Sequence, residues 1–279
     1  MQIAFKSDRG LNRAINQDYV SYFMNEAGQP LMIVCDGMGG HKAGDVASEM
    51  GVSHLGAAWK GSRFTNSEEL SRWLIANIQR VNDLVFQKSL DYSDLDGMGT
   101  TLVAAAIVGK EIVFFFFCDS RAYVYRNYKL RQITEDHSLV NEFIKSGEIT
   151  PEEAQHHPRK NILTRSLGVS RKLDIDIIAM PLVQGDLLLL CSDGLTNMMD
   201  DEEIAQMLKE WLPLEEKVLS LVDKANAAGG LDNITVLLAD FTDREGEPLW
   251  RQERNQAPAT KLSGISEAVG WQTFIWDTI

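Results

Sequence analysis

The sequence has no apolar run of about 18 residues, so no segment is long enough for a membrane-spanning helix. Its amino terminus, MQIAFKSDRG, lacks the apolar stretch of a secretory signal. Cysteine is scarce, and Cys35, Cys118 and Cys191 are an odd number without the spacing of a zinc site. These absences exclude a helical membrane protein and a disulfide framework. They predict a cytoplasmic protein with free, buried thiols.

Basic residues are too few to balance the acidic ones. The 27 lysines and arginines stand against 40 aspartates and glutamates, which gives a net charge of −13. This deficit argues against nucleic acid or an anionic membrane as the main partner. A solvated acidic surface accounts for most of the excess, and a cluster of metal-binding carboxylates accounts for part of it. We predict a monomer without either kind of partner.

The apolar pattern predicts strands and helices in a definite order. Two stretches at helical spacing, 43–59 and 67–90, are predicted helices, and Ser67 is the predicted N-cap of the second. A strand-rich block at 99–133 has hairpin-length links, which indicate an antiparallel meander. Helices grouped after strands favour an α+β fold, with two antiparallel sheets packed as a sandwich and helices on both outer faces. Strands are predicted at 2–6, 18–24, 31–35, 100–108, 111–118, 122–126, 130–133, 173–179, 186–191 and 233–241, and later helices at 201–211 and 214–227.

The domain prediction is one folded unit over 1–241 and a C-terminal extension over 242–279. Within the unit, about 138–168 is polar and partly helical, and we interpret it as a flap over a site. The extension is polar at first and becomes apolar again at 265–279. That ending either packs back on the domain, which we favour, or docks a partner through Trp271 and Trp276.

Five aspartates lie at the ends of predicted apolar strands. Asp36, Asp119 and Asp193 follow such strands, Asp232 precedes one, and Asp18 begins one. Any one of them could be a turn or cap residue, and an Asp-Gly pair alone favours a turn. Together they predict converging carboxylates, which repel one another unless a cation lies among them. Oxygen ligands indicate Mg²⁺ or Mn²⁺.

Nine short motifs, five of which contain these aspartates, occur in order along residues 7–241. The motifs are SDRG at 7–10, RAINQD at 13–18, VCDGMGGH at 34–41, GTTL at 99–102, DSRAY at 119–123, TEDHSLV at 134–140, LTRSLG at 163–168, SDGL at 192–195 and DNIT at 232–235. In the content and order of these motifs the sequence resembles the metal-dependent serine/threonine protein phosphatases of type 2C, most closely the bacterial single-domain members. A match of this extent is highly specific.

The resemblance implies a site for two Mg²⁺ or Mn²⁺ ions. Asp36 would bridge both ions, and the Gly37 carbonyl would bind one of them. Asp193 and Asp232 would bind the first ion on its other side. Two such ions lower the pKa of a shared water, which would attack the phosphomonoester directly, without a phosphoenzyme.

The resemblance also implies supporting residues. Asp18 would support the cluster through water or hydrogen bonds, and Asp119 would help to hold a third, weaker ion together with Asp193. Arg13 would bind the substrate phosphate, because its planar fork of N–H donors matches phosphate oxygens. It would therefore be both a substrate-binding and a catalytic residue.

The sequence departs from the family pattern at three positions. Many eukaryotic relatives have glutamate where Gln17 stands, and many have a histidine, thought to be a general acid, where Met38 stands. His41 could protonate the leaving oxygen, or it could cap the following helix or orient its loop, and both alternatives stay open. Cys118 stands where relatives usually have glycine, so the loop of the third ion is expected to differ.

The predicted function is hydrolysis of phosphoserine and phosphothreonine in proteins, opposing a bacterial kinase. The predicted partners are therefore a cognate kinase and its phosphorylated targets. One alternative is another phosphomonoesterase of the same fold, dedicated to one phosphoprotein. A second is a pseudophosphatase that binds without turnover, which the presence of Asp36, Asp193 and Asp232 argues against.

Overall fold

Two antiparallel β-sheets pack face to face in the computed structural model, which describes residues 1–39, 43–155 and 157–242. Helices cover the outer face of each sheet, so the predicted α+β sandwich is confirmed. The strands are β1 (Gln2–Asp8), β2 (Asp18–Met24), β3 (Pro30–Met38), β4 (Gly99–Thr100), β5 (Leu102–Val108), β6 (Glu111–Phe117), β7 (Arg121–Arg126), β8 (Lys129–Gln132), β9 (Asp176–Pro181), β10 (Leu187–Cys191) and β11 (Ile234–Asp240). The helices are α1 (Gly44–Lys60), α2 (Ser67–Asp91), α3 (Leu139–Ser146), α4 (Pro151–Gln155), α5 (Asp193–Thr196), α6 (Asp201–Lys209) and α7 (Leu214–Ala227).

The strand order brings distant parts of the chain together at one end of the sandwich. In the described residues the first sheet has the order β1-β11-β10-β7-β8 and the second β2-β3-β5-β6-β9, with β4 paired to β3. The ends of β3, β6 and β10 and the starts of β2 and β11 carry the aspartates of the sequence motifs. The topology therefore decides whether those carboxylates meet.

The central strand β6 shows why the sandwich forms. Successive side chains of a strand point to opposite faces of the sheet. Phe114 and Phe116 pack between the two sheets, whereas Phe115 and Phe117 pack under α1 and α2. Both faces of β6 are covered, which explains why this strand is a nearly continuous apolar run.

Helix α2 begins one residue earlier than the predicted cap allowed. The Asn66 side chain accepts a hydrogen bond from the Glu69 N–H at 2.8 Å, so Asn66 is the N-cap and Ser67 is the first helical residue. The prediction of Ser67 as the cap is therefore wrong. Asparagine and serine are both good caps, and the pattern alone did not separate two adjacent candidates.

Several predicted strand boundaries also differ from the structure, such as 173–179, where β9 runs from Asp176 to Pro181, and two of these differences share one cause. The strand predicted at 100–108 is broken at Thr101, whose N–H donates to the Asp36 carbonyl oxygen at 2.8 Å, and this contact separates β4 from β5. The strand predicted to end at Cys35 continues to Met38, because Gly37 and Met38 pair with β4. Both differences come from pairing between β3 and β4, which lie about 60 residues apart in the chain.

The segment interpreted as a flap leaves the sheets between β8 and β9. It contains α3 and α4, and an antiparallel bridge between Ser138 and Leu163 joins its two ends. Ser138 caps α3 by accepting a hydrogen bond from the Asn141 N–H, and Gly147 ends the helix with a φ of 77°. The flap therefore has secondary structure of its own, and its two ends lie close together where it leaves the sheets.

Three further expectations concern membrane-spanning helices, the cysteines, and the C-terminal extension with His41. Across the described residues, no helix is both long enough and apolar enough to cross a membrane. The three cysteines are buried and free, as predicted. The extension beyond Thr242 and the residue His41 lie outside the described residues.

Candidate active site

Most of the predicted site residues line one cavity of about 240 Å³ at the end of the sandwich. Asp18 does not line this cavity and lies behind it, in the wall formed by β2. The flap also contributes Asn161 and Leu163, which the sequence patterns had not indicated as site residues. The predicted residues that line the cavity are Arg13, Asp36, Gly37, Asp119, Asp193 and Asp232.

Asp36 is held by its backbone at the end of β3. Its N–H donates to Thr101 Oγ1 at 2.8 Å. Its carbonyl oxygen accepts from the Thr101 N–H and from Thr100 Oγ1, each at 2.8 Å. These three bonds fix the direction in which the carboxylate enters the cavity.

Gly37 occupies a position where no side chain fits. A Cβ at this residue would lie 2.1 Å from the Gly44 carbonyl oxygen and 2.6 Å from the Gln17 carbonyl oxygen. The Gly37 N–H donates to that same Gln17 oxygen at 3.1 Å. The glycine is therefore required for close packing of three backbone segments beside the site.

Asp18 is buried and lies directly opposite Asp36, because the two residues are partners in the antiparallel pairing of β2 and β3. Its Oδ2 accepts a hydrogen bond from Ser192 Oγ at 2.7 Å. Its Oδ1 is buried and has no hydrogen-bond partner among the described residues. Burial raises the pKa of Asp18 to about 7, and the nearby charges of Asp193 and Asp232 add to this effect.

Asp193 begins the single turn of α5, which packs tightly against the start of β11. A Cβ on Gly194 would lie 1.9 Å from the Asn233 carbonyl oxygen. Asp193 Oδ2 accepts from Asn197 Nδ2 at 2.9 Å, but its Oδ1 is buried without a partner in the part of the chain that the structure describes. Burial raises the pKa of this carboxyl, and Asp232 raises it further.

Asp232 and Arg13 both line the cavity and form an ion pair with each other. Arg13 Nη2 donates to Asp232 Oδ2 at 2.6 Å, and half of the Arg13 side chain remains exposed. The next residue, Asn233, donates through Nδ2 to the carbonyl oxygens of Arg9 and Ile15 at 2.8 and 2.9 Å. Asn233 thereby fixes the loop that carries Arg13. The sequence did not predict this role of Asn233, although the residue belongs to the DNIT motif at 232–235.

Asp119 follows β6, and it shares the cavity with the other carboxylates. Burial raises its pKa to about 7, with a further contribution from Asp193. The preceding residue, Cys118, has a φ of 81°, in the left-handed region that favours glycine. Cysteine therefore occupies a glycine-like conformation here, and the expected difference of this loop from that of relatives stays a prediction.

The carboxylates of the cavity destabilise one another when they are all ionised. Burial raises the pKa of Asp36 well above its usual value, and the charges of Asp18, Asp193, Asp119 and Asp232 raise it further. A cation placed among them would reverse this effect. The unpartnered Oδ1 of Asp193, a residue that lines the cavity, supplies a free ligand atom. The residues present therefore fit divalent cations.

The ligand set is open and does not form a closed cage. Among the described residues, no three histidine, cysteine, aspartate or glutamate side chains already converge as one ligand group. Mg²⁺ in particular keeps several waters and is usually held by one or two carboxylates together with substrate phosphates. An open cavity lined by several carboxylates suits such an ion better than zinc, which prefers four close nitrogen or sulfur ligands.

The cysteines are unsuited to nucleophilic attack. Burial raises the pKa of Cys191 to about 12 and the pKa values of Cys35 and Cys118 above the usual range. The Thr101 hydroxyl, which also lines the cavity, is bonded to the Asp36 N–H and to Ser120 Oγ at 2.8 Å each. These groups are placed to support the fold, since an activated nucleophile needs a thiolate or an adjacent base.

Comparison with known proteins agrees with the predicted family and fold. The sequence model of the family described as Protein phosphatase 2C matches residues 11–233. The serine/threonine phosphatase stp of Listeria monocytogenes serotype 4b is 49% identical over 241 residues, which cover 86% of this chain and 96% of that protein. Protein phosphatase PhpP of Streptococcus pneumoniae serotype 2 is 43% identical over 247 residues, 88% of this chain and 100% of that protein.

Solved structures show the same similarity in three dimensions. The serine/threonine phosphatase of S. agalactiae superposes with a TM-score of 0.82 at 43% identity and covers 85% of this chain and 98% of its own. The catalytic domain of the phosphatase PstP, solved in complex with two manganese ions, gives a TM-score of 0.77 at 34% identity, covering 87% of this chain and 98% of its own. The predicted family is thus confirmed: this chain belongs to the protein phosphatase 2C family.

Proposed function

We propose that this protein hydrolyses phosphoserine and phosphothreonine in other proteins by direct attack of water on phosphorus, with divalent cations bound in the cavity. The observation that carries the proposal is one cavity that combines four strand-end carboxylates with an arginine. Relatives named serine/threonine phosphatases support the substrate class. No covalent phosphoenzyme is required, because neither Thr101 nor the cysteines are activated for attack.

The proposed cofactors are two Mg²⁺ or Mn²⁺ ions, with a third, weaker ion beside them. Asp36, the Gly37 carbonyl, Asp193 and Asp232 would hold the first two ions, and Asp119 would help to hold the third. When bound, such ions lower the pKa of a coordinated water toward neutrality and offset charge on phosphate oxygens. The structure of PstP with two manganese ions supports this number.

The protein's own residues have separate tasks in the proposed reaction. Asp18 accepts from Ser192 and holds the wall behind Asp36, so that the Asp36 carboxylate keeps its direction. The half-exposed Arg13 guanidinium has N–H groups available for the phosphate and stabilises charge that develops on its oxygens. Protonation of the leaving oxygen by His41 stays a prediction, since that residue lies outside the described range.

Replacing Arg13 by alanine is expected to raise KM for a phosphopeptide by roughly 10- to 100-fold, since a charge-assisted hydrogen bond contributes about 1.5–3 kcal/mol. Apparent Mn²⁺ affinity is expected to stay the same or increase, because the substitution releases the Asp232 carboxylate from its contact with Arg13. Arg9→Ala, on the same loop and exposed, is the matched control. Steady-state kinetics at several Mn²⁺ concentrations measure both constants, and an unchanged KM would remove Arg13 from the phosphate site.

The test of the proposed function is dephosphorylation of matched phosphoserine, phosphothreonine and phosphotyrosine peptides with Mn²⁺, with Mg²⁺, and with chelator. We expect release of phosphate from the first two peptides, little from the third, and none with chelator. Quenched-flow analysis in ¹⁸O-water is expected to place one labelled oxygen in phosphate without a burst of phosphoenzyme. An inactive protein at millimolar Mn²⁺ would favour the pseudophosphatase alternative.

The proposed setting is a bacterial cytoplasm, where the protein acts as a monomer opposite a serine/threonine kinase. Three buried free thiols suit a reducing compartment, and the similar proteins named above come from bacteria. Phosphorylated targets of that kinase are the proposed substrates. Co-expression of this phosphatase with candidate kinases, followed by phosphoproteomics, identifies which phosphorylated proteins decrease.

We also propose that 1–241 is the catalytic domain, with the flap at about 138–168 over its site, and that 242–279 is an accessory extension. All of PhpP aligns with 88% of this chain, so that relative has no counterpart for an extension of this length. Removal of 243–279 is expected to leave turnover of a small aryl phosphate within about twofold, because the described residues that line the cavity all lie between Arg13 and Asn233. An insoluble truncation would show instead that the apolar ending packs on the domain.

A further inference from the structure

A buried histidine lies beneath the active-site cavity and does not line it. His137 stands at the start of the flap segment, only 6% exposed, with its ring stacked flat on Phe116 at a centroid distance of 5.7 Å. Its Nδ1 accepts a hydrogen bond from the Cys118 N–H at 3.1 Å. Because Nδ1 accepts, the ring proton of the neutral imidazole lies on Nε2.

The Asp176 carboxylate contacts the other ring nitrogen of His137. His137 Nε2 lies 3.1 Å from Asp176 Oδ2, and Arg165 Nη1 donates to Asp176 Oδ1 at 2.8 Å. Burial raises the pKa of Asp176, but the bonds from His137 and Arg165 outweigh burial and lower it. Asp176 therefore stays ionised and fixes both the tautomer and the orientation of the imidazole.

Cys118 is bound to this cluster through each of its polar groups. Its N–H donates to His137 Nδ1, its carbonyl oxygen accepts from the His137 N–H at 2.9 Å, and its thiol contacts the Arg165 carbonyl oxygen. The left-handed conformation of Cys118, with a φ of 81°, is unfavourable for a residue that carries a Cβ. The hydrogen bonds to His137 and Arg165 offset that cost and hold the turn.

From these contacts we infer that His137 is a positioning residue for Asp119. Asp119 directly follows Cys118, so the conformation of Cys118 sets the direction in which the Asp119 carboxylate enters the cavity. Asp176 orients His137, and His137 holds the conformation of Cys118 through the hydrogen bond from the Cys118 N–H. The inference rests on the proposed function, because it assigns Asp119 to the weakest of the bound cations.

Two substitutions separate the contact to Cys118 from the contact to Asp176. In His137→Asn the side-chain oxygen takes the place of Nδ1 and still accepts from the Cys118 N–H. In His137→Gln the longer amide reaches toward Asp176 and leaves that N–H without its acceptor. We expect His137→Gln to weaken Mn²⁺ binding at the weakest site by about 10-fold or more, as for other groups that orient a metal ligand, and His137→Asn to weaken it by less than about threefold.

The decisive experiment is a double-mutant cycle read by direct Mn²⁺ binding, with electron paramagnetic resonance or calorimetry on the full chain. If His137 acts through Asp119, His137→Gln has no further effect on Mn²⁺ binding in an Asp119→Asn background. Additive effects, or a lower melting temperature with unchanged Mn²⁺ binding, would overturn the inference. If His137→Gln does not fold, His137→Leu, which also leaves the Cys118 N–H without its acceptor, replaces it in the cycle, with the same expected weakening.

The same measurement on the unsubstituted protein separates this inference from the proposed function. If the wild type binds no Mn²⁺, the proposed function fails, and the role of His137 fails with it. If the wild type binds Mn²⁺ and turns over phosphopeptides while His137→Gln matches it, the role of His137 alone is wrong.

Discussion

Asp36→Asn is expected to lower kcat for phosphopeptide hydrolysis by about 1,000-fold or more at saturating Mn²⁺, which corresponds to roughly 4 kcal/mol of transition-state stabilisation. The substitution keeps the size of the side chain and the three backbone bonds that fix residue 36. It removes the one charged oxygen pair that is proposed to contact both cations. The loss is therefore expected to appear in turnover and in Mn²⁺ affinity, with the fold preserved.

The stability of this variant is an independent check on the electrostatics of the cavity. The pKa of Asp36 is raised in the folded protein, so its stabilising contribution is present at low pH and is lost as pH rises above the unfolded value. Near neutral pH its ionisation opposes folding. In the presence of chelator, Asp36→Asn is thus expected to melt at the same or a higher temperature than wild type.

A matched control for Asp36→Asn is Asp223→Asn, which changes an exposed carboxylate on α7. We expect Asp223→Asn to keep wild-type kcat and melting temperature. If Asp36→Asn retained half of the wild-type turnover with its fold intact, the proposed assignment of Asp36 would be wrong. If it unfolded with chelator present, the charge of Asp36 would have to stabilise the fold, contrary to the raised pKa.

Asp186→Ala is expected to reduce the free energy of unfolding by about 3–5 kcal/mol, because it removes the fully buried carboxylate of an ion pair. Asp186 is fully buried and accepts two hydrogen bonds from the Arg126 guanidinium, at 2.6 Å each, and one from the Val183 N–H at 2.9 Å. The substitution leaves the Arg126 guanidinium without this carboxylate, although its bond to the Pro181 carbonyl oxygen remains. Urea unfolding measures the loss.

The control for Asp186→Ala is an ion pair at the surface. Arg63 and Glu26 pair at 3.0 Å with side chains that are 77% and 53% exposed, so Glu26→Ala is expected to cost less than about 1 kcal/mol. The five-residue strand β10 separates Asp186 from the site residue Asp193, and kcat of the folded Asp186→Ala fraction is expected to match wild type. If Asp186→Ala and Glu26→Ala lowered the free energy of unfolding equally, burial would not be what makes the Asp186 ion pair stabilising.

Much of the fold followed from the order of residues in the sequence. The alternation that places Phe114 and Phe116 on one face of β6 is local, and short links between strands allow only antiparallel neighbours. The aspartates at strand ends were visible for the same reason. Errors arose where two local signals competed, as at Asn66 and Ser67, or where a distant partner intervened, as at Thr101.

By itself, the sequence determined the layers of this protein and the placement of carboxylates at strand ends, because both depend on periodicity over a few residues. Tertiary structure alone decided which groups meet. Arg13 pairs with Asp232 across 219 positions of the chain, Asp18 is buried behind Asp36, and His137 supports the turn before Asp119. Such contacts depend on the pairing of strands and on burial, and no spacing within one stretch of chain encodes them.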